Sequence, residues 1–240
     1  MAVASPILPT RHHSVTYSPL TENDLEETIE CLCRVFPQNE PITQRAGITE
    51  KDFRPFARMF CELAVKEKVS LIMRDKQFGN RVTGFSINHD YATPAPEEIE
   101  RVTPKFAPVF KVLEELDIIY RDGKSFSFGE VCYLLMAGVD HQFYKQQKGK
   151  TAVKGNQLAA KLFQLTLDIV RAEGFHNTIA HATGSFSQKG LHDLGFSEVA
   201  RIDYNTFEFE GQYPFKRIPW HSCCKIYDLS LREEPIVQAS

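Results

Sequence analysis

The sequence predicts a single α/β (α+β) domain in which helices cover a mixed sheet. Segment 131–139 is a short apolar run typical of a strand, 176–182 is predicted as a second strand, and an amphipathic helical segment lies between them. Strand-like and helix-like patterns alternate along the rest of the chain, which favours one layered core. The 240 residues are 42% hydrophobic and 25% charged, which is the composition of an ordinary globular protein.

Charge and hydropathy exclude several classes of protein. The formal net charge of −3 argues against a nucleic-acid-binding protein that depends on counterion release. The first residues lack the basic segment and apolar core of a signal peptide, and no apolar run approaches the ~20 residues of a membrane span. We therefore expect a cytoplasmic monomer that has neither a nucleic acid nor a membrane as partner.

The cysteine pattern does not predict a metal site. No two of the six cysteines form a Cys-x-x-Cys pair, and their spacing does not match a zinc finger. We expect the cysteines to be reduced thiols in or near the core, and not a catalytic nucleophile or metal ligands. We therefore expect no bound metal. The cysteines are Cys31, Cys33, Cys61, Cys132, Cys223 and Cys224.

The chain divides into a leader, one domain and a tail. We expect residues 1–12 to form a loose leader, 13–232 the domain and 233–240 the tail. Within the domain, the segment at about 91–128 is charged and contains several prolines, so it does not fit a buried strand. We expect it to leave the sheet and to return at Val131.

The first part of the domain alternates between strand and helix patterns. Apolar residues spaced 4, 3 and 4 over 25–36 predict a helix that lies on the core, and Pro37 should end it. The other predicted elements of this part are a strand at 13–19, a Phe-rich helix at 52–68, and a hairpin of strands at 69–74 and 82–88.

The loop predicted after this first helix has the sequence Phe36-Pro37-Gln38-Asn39-Glu40-Pro41-Ile42. Proline fixes its own backbone and disfavours helical geometry in the residue before it. The two prolines should therefore hold the loop extended and determine where the side chain of Glu40 points.

The segment from Val131 onward has the most regular pattern. The run 131–139 is apolar almost throughout, which suits a strand buried on both faces. A helix should begin near Gln157, because its leucines and isoleucines are spaced 4, 3 and 4, and it should end at Gly174. The later predicted elements are a strand at 176–182, a helix at 185–194 with Phe186 and Leu191 facing inward, and strands at 197–203 and 224–231.

The residues before the helix at Gln157 are small and polar. Such residues leave backbone N–H groups free at a helix N-terminus, where the helix dipole also favours an anion. Segment 154–159 is therefore a candidate phosphate-binding site, and the alternative is an ordinary loop and helix start.

These elements and motifs resemble the Gcn5-related N-acetyltransferase fold over roughly residues 15–231. In that family, a central strand ends in Val before a Gln/Arg-x-x-Gly-x-Gly/Ala loop, which binds acetyl-CoA and opens a helix that closes at Gly-Tyr or Gly-Phe. Here Val139 ends the strand, Lys154-x-x-Gln157-x-Ala159 opens the helix, and Gly174-Phe175 closes it. The residues implied in acetyl-CoA binding are Ala137, Gly138, Val139, Lys154, Gly155, Asn156, Gln157, Leu158 and Ala159.

The resemblance has two departures. Gln157 stands where the family has Gly, and Lys154 replaces Gln or Arg. The loop after Val139 is also longer than usual, and Gln146–Lys150 resembles the pyrophosphate loop of vertebrate serotonin acetyltransferases. Either segment could hold the pyrophosphate, and we favour the later one because it lies at the start of the helix.

Within the family, three features resemble the arylalkylamine N-acetyltransferases of invertebrates. Glu40-Pro41-Ile42 is similar to their Glu-Pro-Leu loop, and Gly84 and Asn88 match their Gly-x-x-x-Asn strand. The turn Thr183–Lys189, followed by Leu194-Gly195-Phe196, is similar to their Ser/Thr-rich turn and Leu-Gly-Phe ending. The resemblance implies a mostly antiparallel twisted sheet, with segment 91–128 at the border of the acceptor site.

Acetyl transfer to an amine needs a base, because an alkylammonium with a pKa near ~10 is not a nucleophile at neutral pH. The resemblance implies that Glu40 is this base, directly or through water, and that backbone N–H groups near Gly138 and Val139 serve the thioester. Ser187 and Thr183 would order the substrate or protonate the thiolate, and capping of a helix by these hydroxyls is the alternative. Other candidate bases are His141 and His89, each of which is more often structural.

The function implied is direct transfer of acetyl from acetyl-CoA to the primary amine of a small arylalkylamine. Two alternatives remain open at this point. One is a protein or polyamine N-acetyltransferase of the same fold. The other is a non-catalytic acyl-CoA-binding protein, which the absence of Gly at position 157 would permit, because a fold by itself establishes no activity.

Overall fold

The computed structural model describes residues 14–144 and 155–232. Within these ranges the chain forms a seven-stranded sheet with helices on both faces. The strands are β1 (Val15–Pro19), β2 (Leu71–Asp75), β3 (Arg81–Asp90), β4 (Val131–Val139), β5 (Asn177–Ala182), β6 (Ser197–Asp203) and β7 (Cys223–Ser230). The helices are α1 (Leu25–Asn39), α2 (Pro41–Arg45), α3 (Glu50–Glu67), α4 (Ala107–Arg121), α5 (His141–Tyr144), α6 (Gly155–Ala172) and α7 (Ser185–Asp193).

The described strands lie in the order β1-β2-β3-β4-β5-β7-β6. Neighbouring strands are antiparallel at every step except β4–β5, where they are parallel. A parallel neighbour needs a crossover connection, and α6 supplies it between β4 and β5. The predicted mixed, mostly antiparallel sheet flanked by helices is confirmed.

The two central strands β4 and β5 pair over only three residues. Val131, Cys132 and Tyr133 pair with residues 177–179, and the ladder then stops although β4 continues to Val139. On its other side, β4 stays paired with β3 up to Val139, interrupted by a bulge at Leu135. Within 14–144 and 155–232, the later part of β4 therefore has one edge without a neighbouring strand, which leaves backbone groups for other partners.

The sheet separates two hydrophobic cores. The larger core lies on the face covered by α1, α3 and α4, and it contains Phe53, Phe106 and Tyr133. The opposite face is covered by α6 and α7, whose Leu167 and Leu191 pack on β4 and β5. The alternation of side chains along each strand, two residues per repeat, assigns neighbouring strand residues to the two cores.

The prediction that Pro37 ends the first helix is wrong. Helix α1 contains Pro37 and continues to Asn39. Proline removes one helical hydrogen bond, but the backbone N–H of Glu40 still bonds the carbonyl of Phe36 at 2.9 Å. The ring of Phe36 also stacks on Phe53 with the centroids 5.2 Å apart, so tertiary packing holds the last turn in place.

Phe186 does not face inward as predicted. Its exposed fraction is 86%, whereas Leu191 on the same helix is buried. Residues five apart on a helix point about 140° away from each other, so both cannot lie on the core face. The core takes Leu191, which leaves Phe186 on the solvent side of α7.

Segment 91–128 contributes no strand to the described sheet. It contains the 3-10 turns Glu97–Arg101 and Pro104–Phe106 and then helix α4. The hydroxyl of Tyr120 on α4 donates to Asp228 on β7 at 2.6 Å, and Lys105 pairs with Asp52 on α3 at 2.7 Å. These contacts fix the segment over the larger core.

Several sequence predictions fall outside the described residues. They are the leader at 1–12, the tail at 233–240, Lys154 and the alternative loop Gln146–Lys150. Helix α6 begins at Gly155, two residues earlier than predicted. All six cysteines are buried as free thiols. None of the helices over 14–144 and 155–232 is long and apolar enough to cross a membrane.

Candidate active site

A cavity lies between the sheet and helices α1 to α4. It contains about 500 Å³ of space, part of it open to solvent. Its floor consists of sheet residues at the point where β4 and β5 separate, and its walls are mostly aromatic. The lining residues are Phe36, Glu40, Ile42, Thr43, Phe53, Phe56, Phe106, Val109, Phe110, Leu113, Tyr133, Leu135, Met136, His181 and Thr183.

The aromatic wall is assembled from three helices. Phe36 of α1 stacks on Phe53 of α3, and Phe56 of α3 stacks on Phe106 with the ring centroids 5.0 Å apart. Phe106 in turn stacks on Phe110 of α4 at 5.2 Å. Offset aromatic pairs hold one another in fixed orientations, so the cavity offers flat, apolar surfaces that suit a ring or an alkyl chain.

Glu40 lies at the junction of α1 and α2. Its backbone is extended, with φ −88° and ψ 119°, as expected for a residue before proline. Pro41 occupies the first position of α2, where its missing N–H is no loss. The prediction that the two prolines hold a long extended loop is therefore wrong. They place one extended residue between two helices and direct its side chain.

The carboxylate of Glu40 serves as the N-cap of α2. It accepts the backbone N–H of Thr43 at 2.6 Å and that of Ile42 at 3.3 Å. Glu40 is half-buried, and among the described residues lining the cavity it is the acidic one. A carboxylate held in this way can bind an ammonium group and can accept a proton from it.

Thr183 and Ser187 occupy different environments in the turn after β5. Thr183 lines the cavity with Glu40, and its backbone carbonyl accepts the hydroxyl of Tyr204 at 2.6 Å. Ser187 is exposed and does not line the cavity, and its hydroxyl donates to the carbonyl of Gly184 at 2.8 Å. The structure thus brings Glu40 and Thr183 together and leaves Ser187 in the first turn of α7.

A histidine that the sequence analysis did not single out borders the same turn. Nδ1 of His221 accepts the backbone N–H of Ser185 at 3.0 Å, which places the proton of a neutral imidazole on Nε2. Burial lowers the pKa of His221, and the negative charge of Glu40 acts in the opposite direction. Its neighbour Trp220 is 90% exposed.

A second histidine, His181 on β5, forms part of the cavity floor. The hydroxyl of Tyr133 lies 2.8 Å from its Nδ1. Its Nε2 is buried and has no hydrogen-bond partner among the described residues. The nearest carboxylate oxygen, Oδ1 of Asp117, is 3.6 Å away. Burial lowers the pKa of His181 to about 3, so the imidazole is neutral at physiological pH.

The unpaired edge of β4 lies beside the cavity. It includes Ala137, Gly138 and Val139, each of which pairs with β3 through its other edge. A side chain at Gly138 would lie 3.0 Å from Phe85 and 3.2 Å from Val35. A side chain at this position would therefore require Phe85 and Val35 to shift by a few tenths of an ångström, and it would also hinder the approach of a ligand to the backbone.

The start of α6 carries the remaining residues of the predicted acetyl-CoA site. Gly155, Asn156 and Gln157 are partly or fully exposed, and Leu158 is buried. The first four N–H groups of a helix have no partner within it, so residues 155–158 present donors at this end. Ala159 lies one position further along, and Lys154 is outside the described residues.

The two alternative bases lie outside the cavity. A side chain at Gly155 would lie 2.6 Å from Nδ1 of His141, so that imidazole packs over the start of α6. His89 is buried against Phe60 and Tyr133, and its Nδ1 lies 2.9 Å from the carbonyl oxygen of Asp90. Burial lowers the pKa of His89. Neither side chain is among the lining residues.

The parallel strands β4 and β5 separate after three residues, and α6 connects them. With this arrangement, the chain has the Gcn5-related N-acetyltransferase fold. No protein-family model and no curated protein matches the sequence. The fold is established by solved structures whose sequence identity to this chain is low.

Three of these structures cover nearly the whole chain. The C-terminal condensation domain of Ebony, in complex with β-alanyl-dopamine, has a TM-score of 0.76 at 16% identity, covering 90% of this chain and 99% of that one. Arylalkylamine N-acetyltransferase 2 from Aedes aegypti has a TM-score of 0.74 at 20% identity, covering 91% and 99%. A Drosophila melanogaster polyamine N-acetyltransferase, which forms N-acetylagmatine, has a TM-score of 0.69 at 15% identity, covering 90% and 100%.

Proposed function

We propose that the protein is an acetyl-CoA-dependent N-acetyltransferase that acetylates the primary amine of a small arylalkylamine. The observation that carries this proposal is the composition of the cavity, which combines an aromatic wall with one carboxylate, Glu40. An aryl group fits the stacked phenylalanines, and an ammonium group fits the carboxylate. Two of the structures with this fold carry the names of amine N-acetyltransferases, and a third holds an amide of dopamine.

In this proposal, Glu40 prepares the amine for attack. The ammonium group binds beside the carboxylate and passes one proton to it, directly or through water. The amine nitrogen then bonds to the acetyl carbonyl carbon and the carbon–sulfur bond breaks. The nitrogen loses its second proton to the departing thiolate or to water, so the products are the N-acetyl amine and CoA. The hydrogen bonds that Glu40 accepts from two backbone N–H groups keep its carboxylate fixed for this step.

The edge of β4 and the start of α6 would hold the acyl donor. The unpaired backbone of Ala137, Gly138 and Val139 can form strand-like hydrogen bonds with the amide groups of a pantetheine chain. The first N–H groups of α6, which have no partner within the helix, and the dipole of an 18-residue helix favour the pyrophosphate. Lys154 would add a positive charge before this helix.

The turn after β5 would serve the leaving group. Thr183 lines the cavity, and in this proposal its hydroxyl orders the amine or donates to the departing thiolate. The hydroxyl of Ser187 is bonded to the carbonyl of Gly184, which makes it a residue that shapes the turn. A thiol of pKa ~8.5 leaves readily at neutral pH, so protonation contributes less than removal of the amine proton.

An assay of acetyl-CoA consumption tests this function. The amines would be phenethylamine, tryptamine, dopamine, serotonin and spermidine, with a histone-tail peptide as a protein substrate. We expect turnover of the arylalkylamines, and we expect Glu40→Gln to reduce it. Glu30→Gln is the matched control, because Glu30 lies exposed on the same helix α1.

Each other outcome selects a different function. Turnover of spermidine or the peptide alone would assign the chain to the polyamine or protein acetyltransferases. Binding of acetyl-CoA by calorimetry without turnover of any amine would support a non-catalytic acyl-CoA-binding protein. The absence of both binding at millimolar acetyl-CoA and turnover would refute the proposal.

A further inference from the structure

The two sides of the proposed site come from distant parts of the chain. Glu40 lies between α1 and α2, and Thr183 follows Ala182, the last residue that β5 pairs with β7 in the described sheet. A side chain at Gly184 would place its Cβ 3.2 Å from Cγ of Pro41, so the turn after β5 packs against the start of α2. Contacts other than strand pairing must therefore set the distance between the two cavity-lining residues.

The loop between β6 and β7, residues 204–222, holds Thr183 from outside the cavity. The hydroxyl of Tyr204 donates to the backbone carbonyl of Thr183 at 2.6 Å. Tyr204 is buried and does not line the cavity. Its backbone N–H donates to the carbonyl of Ser222 at 2.9 Å, and its ring packs edge-on against Phe215 with the centroids 5.8 Å apart. The hydroxyl is therefore held at a fixed point, from which it fixes the carbonyl of Thr183.

The same loop also holds α2, the helix whose N-cap is the proposed base. Arg45, at the end of α2, donates from Nε to the carbonyl of Pro214 at 3.1 Å and from Nη2 to that of Lys216 at 3.4 Å. These two carbonyls flank Phe215, which is fully buried and packs on Tyr204. Three consecutive residues of the loop thus connect α2 to Tyr204 and, through its hydroxyl, to the turn after β5.

We propose that Tyr204 and Arg45 are positioning residues for acetyl transfer. Together with segment 214–216 they form a brace that sets the distance between Glu40 and Thr183. At the moment of attack the amine nitrogen must lie about 3–3.5 Å from the acetyl carbon and within reach of the base, and a displacement of about 1 Å can cost about 10²-fold in rate. The brace fixes this geometry without contacting either substrate. This inference rests on the proposed function, because it concerns the geometry of the same site.

Tyr204→Phe tests the brace, because it removes one hydroxyl and keeps the ring against Phe215. The substrates are acetyl-CoA and the amine turned over fastest among phenethylamine, tryptamine, dopamine and serotonin. We expect kcat to fall about tenfold, while the KM for acetyl-CoA changes by less than about twofold.

Tyr91→Phe is the matched control. It removes another buried hydroxyl, which donates to Asp117 at 2.8 Å, from a residue that does not line the cavity. Because hydrogen bonds to charged groups are the stronger ones, this variant should lower the thermal unfolding temperature at least as much as Tyr204→Phe. It should leave kcat unchanged, so a loss of kcat cannot be ascribed to lower stability alone.

Combined variants show whether the brace acts as one unit. In the Thr183→Val background, Tyr204→Phe should lower kcat by less than about twofold, because the hydroxyl that it positions is already absent. Arg45→Met removes the two bonds to the loop and should lower kcat about threefold, which corresponds to a weak hydrogen bond. The double variant Tyr204→Phe/Arg45→Met should lose less than the product of the two single losses, because both residues belong to one chain of contacts.

Amide hydrogen exchange gives a readout that does not depend on turnover. The backbone N–H groups of Ser185 and Gln188 are hydrogen-bonded in the turn after β5, so their exchange reports how firmly the turn is held. Tyr204→Phe should speed their exchange, whereas Tyr91→Phe should not.

The outcomes separate this inference from the proposed function. Unchanged kcat in Tyr204→Phe, an equal loss in Tyr91→Phe, or an equal loss in the Thr183→Val background would overturn the brace and leave the acetyltransferase function intact. Unchanged hydrogen exchange in the turn would also overturn it. If the wild-type protein acetylates none of the amines, the proposed function fails, and the positioning role fails with it.

Discussion

The carboxylate of Glu40 accepts the backbone N–H of Thr43 at 2.6 Å, so the proposed catalytic base is also the N-cap of a helix. The two roles make different demands on the side chain. Capping needs an oxygen that accepts a hydrogen bond, whereas proton transfer needs a group that can be protonated at a useful pH. Substitutions that keep one property and remove the other can separate them.

Glu40→Gln should therefore lose activity while keeping the cap. Its amide oxygen can still accept from Thr43, so the free energy of unfolding should change little. We expect kcat/KM at neutral pH to fall about 10²-fold or more, because the amine then stays protonated. Glu40→Ala should lose activity to a similar extent and also about 1 kcal/mol of stability, because the cap is removed.

The pH profile provides the decisive measurement for Glu40. Raising the pH supplies free amine from solvent, so the activity of Glu40→Gln should recover partly relative to the wild-type protein. The ascending limb of the wild-type profile alone cannot assign the base, since the amine titrates as well. Near-normal activity of Glu40→Gln at pH 7 would show that the carboxylate only caps α2.

His181 should make the protein less stable in acid. Burial lowers its pKa in the folded state to about 3, against about 6.5 in the unfolded state, so the unfolded state binds more protons between these values. The free energy of unfolding is therefore unaffected by His181 above pH ~6.5 and decreases as the pH falls below this value. Between pH 7.5 and 5.5 the loss should be about 1.4 kcal/mol. The lowered pKa of His89 acts in the same direction.

Urea unfolding at these two pH values checks this prediction. The difference in unfolding free energy should be smaller in His181→Leu than in the wild-type protein by about 1.4 kcal/mol. An unchanged difference would mean that His181 is protonated in the folded protein, or that it titrates equally in both states.

Gly155→Ala should affect cofactor binding more than helix stability. An alanine Cβ would lie 2.6 Å from Nδ1 of His141, so the imidazole or the first turn of α6 must shift. We expect the KM for acetyl-CoA to rise severalfold, without the stabilisation of up to about 1 kcal/mol that Gly-to-Ala normally gives in a helix. Gly190→Ala in α7 is the matched control, because nothing lies within 4 Å of its Cβ position.

The double variant His141→Ala/Gly155→Ala identifies the cause. Removing the imidazole removes the clash, so the helix should regain the stability expected from alanine. If Gly155→Ala alone behaves like Gly190→Ala and leaves KM unchanged, the contact with His141 has no influence on the start of α6.

Tyr120→Phe should loosen α4, which forms one wall of the cavity. The hydroxyl of Tyr120 donates to the carboxylate of Asp228 at 2.6 Å, and the residue is 1% exposed. Hydrogen bonds to charged groups contribute about 1.5–3 kcal/mol, so a loss in this range is expected in urea unfolding. Tyr213→Phe is the control, because Tyr213 is 45% exposed and its bond to Glu208 is long at 3.3 Å. Equal losses in the two variants would contradict this assignment.

The sequence by itself determined the elements whose patterns are local. The unbroken apolar run predicted β4 with its observed bounds, Val131–Val139, and the 4, 3, 4 spacing of apolar residues predicted α6 to within two residues at its start. Glu40 was singled out by the resemblance of Glu40-Pro41-Ile42 to a family loop. The residue before Pro41 is extended, as proline geometry predicts, and Glu40 lines the cavity. Periodicity and proline geometry act over a few residues, so they can be read without the fold.

Only the tertiary structure decided the contents of the cavity. Its phenylalanines come from helices that are up to about 70 positions apart in the chain, and stacking between them is a product of helix packing. The same packing carried α1 past Pro37, against the local preference of proline. In the sequence His181 is one of several polar residues in a short strand. Only the fold places its imidazole between Tyr133 and Asp117, and its Nε2 has no hydrogen-bond partner in the described part of the chain.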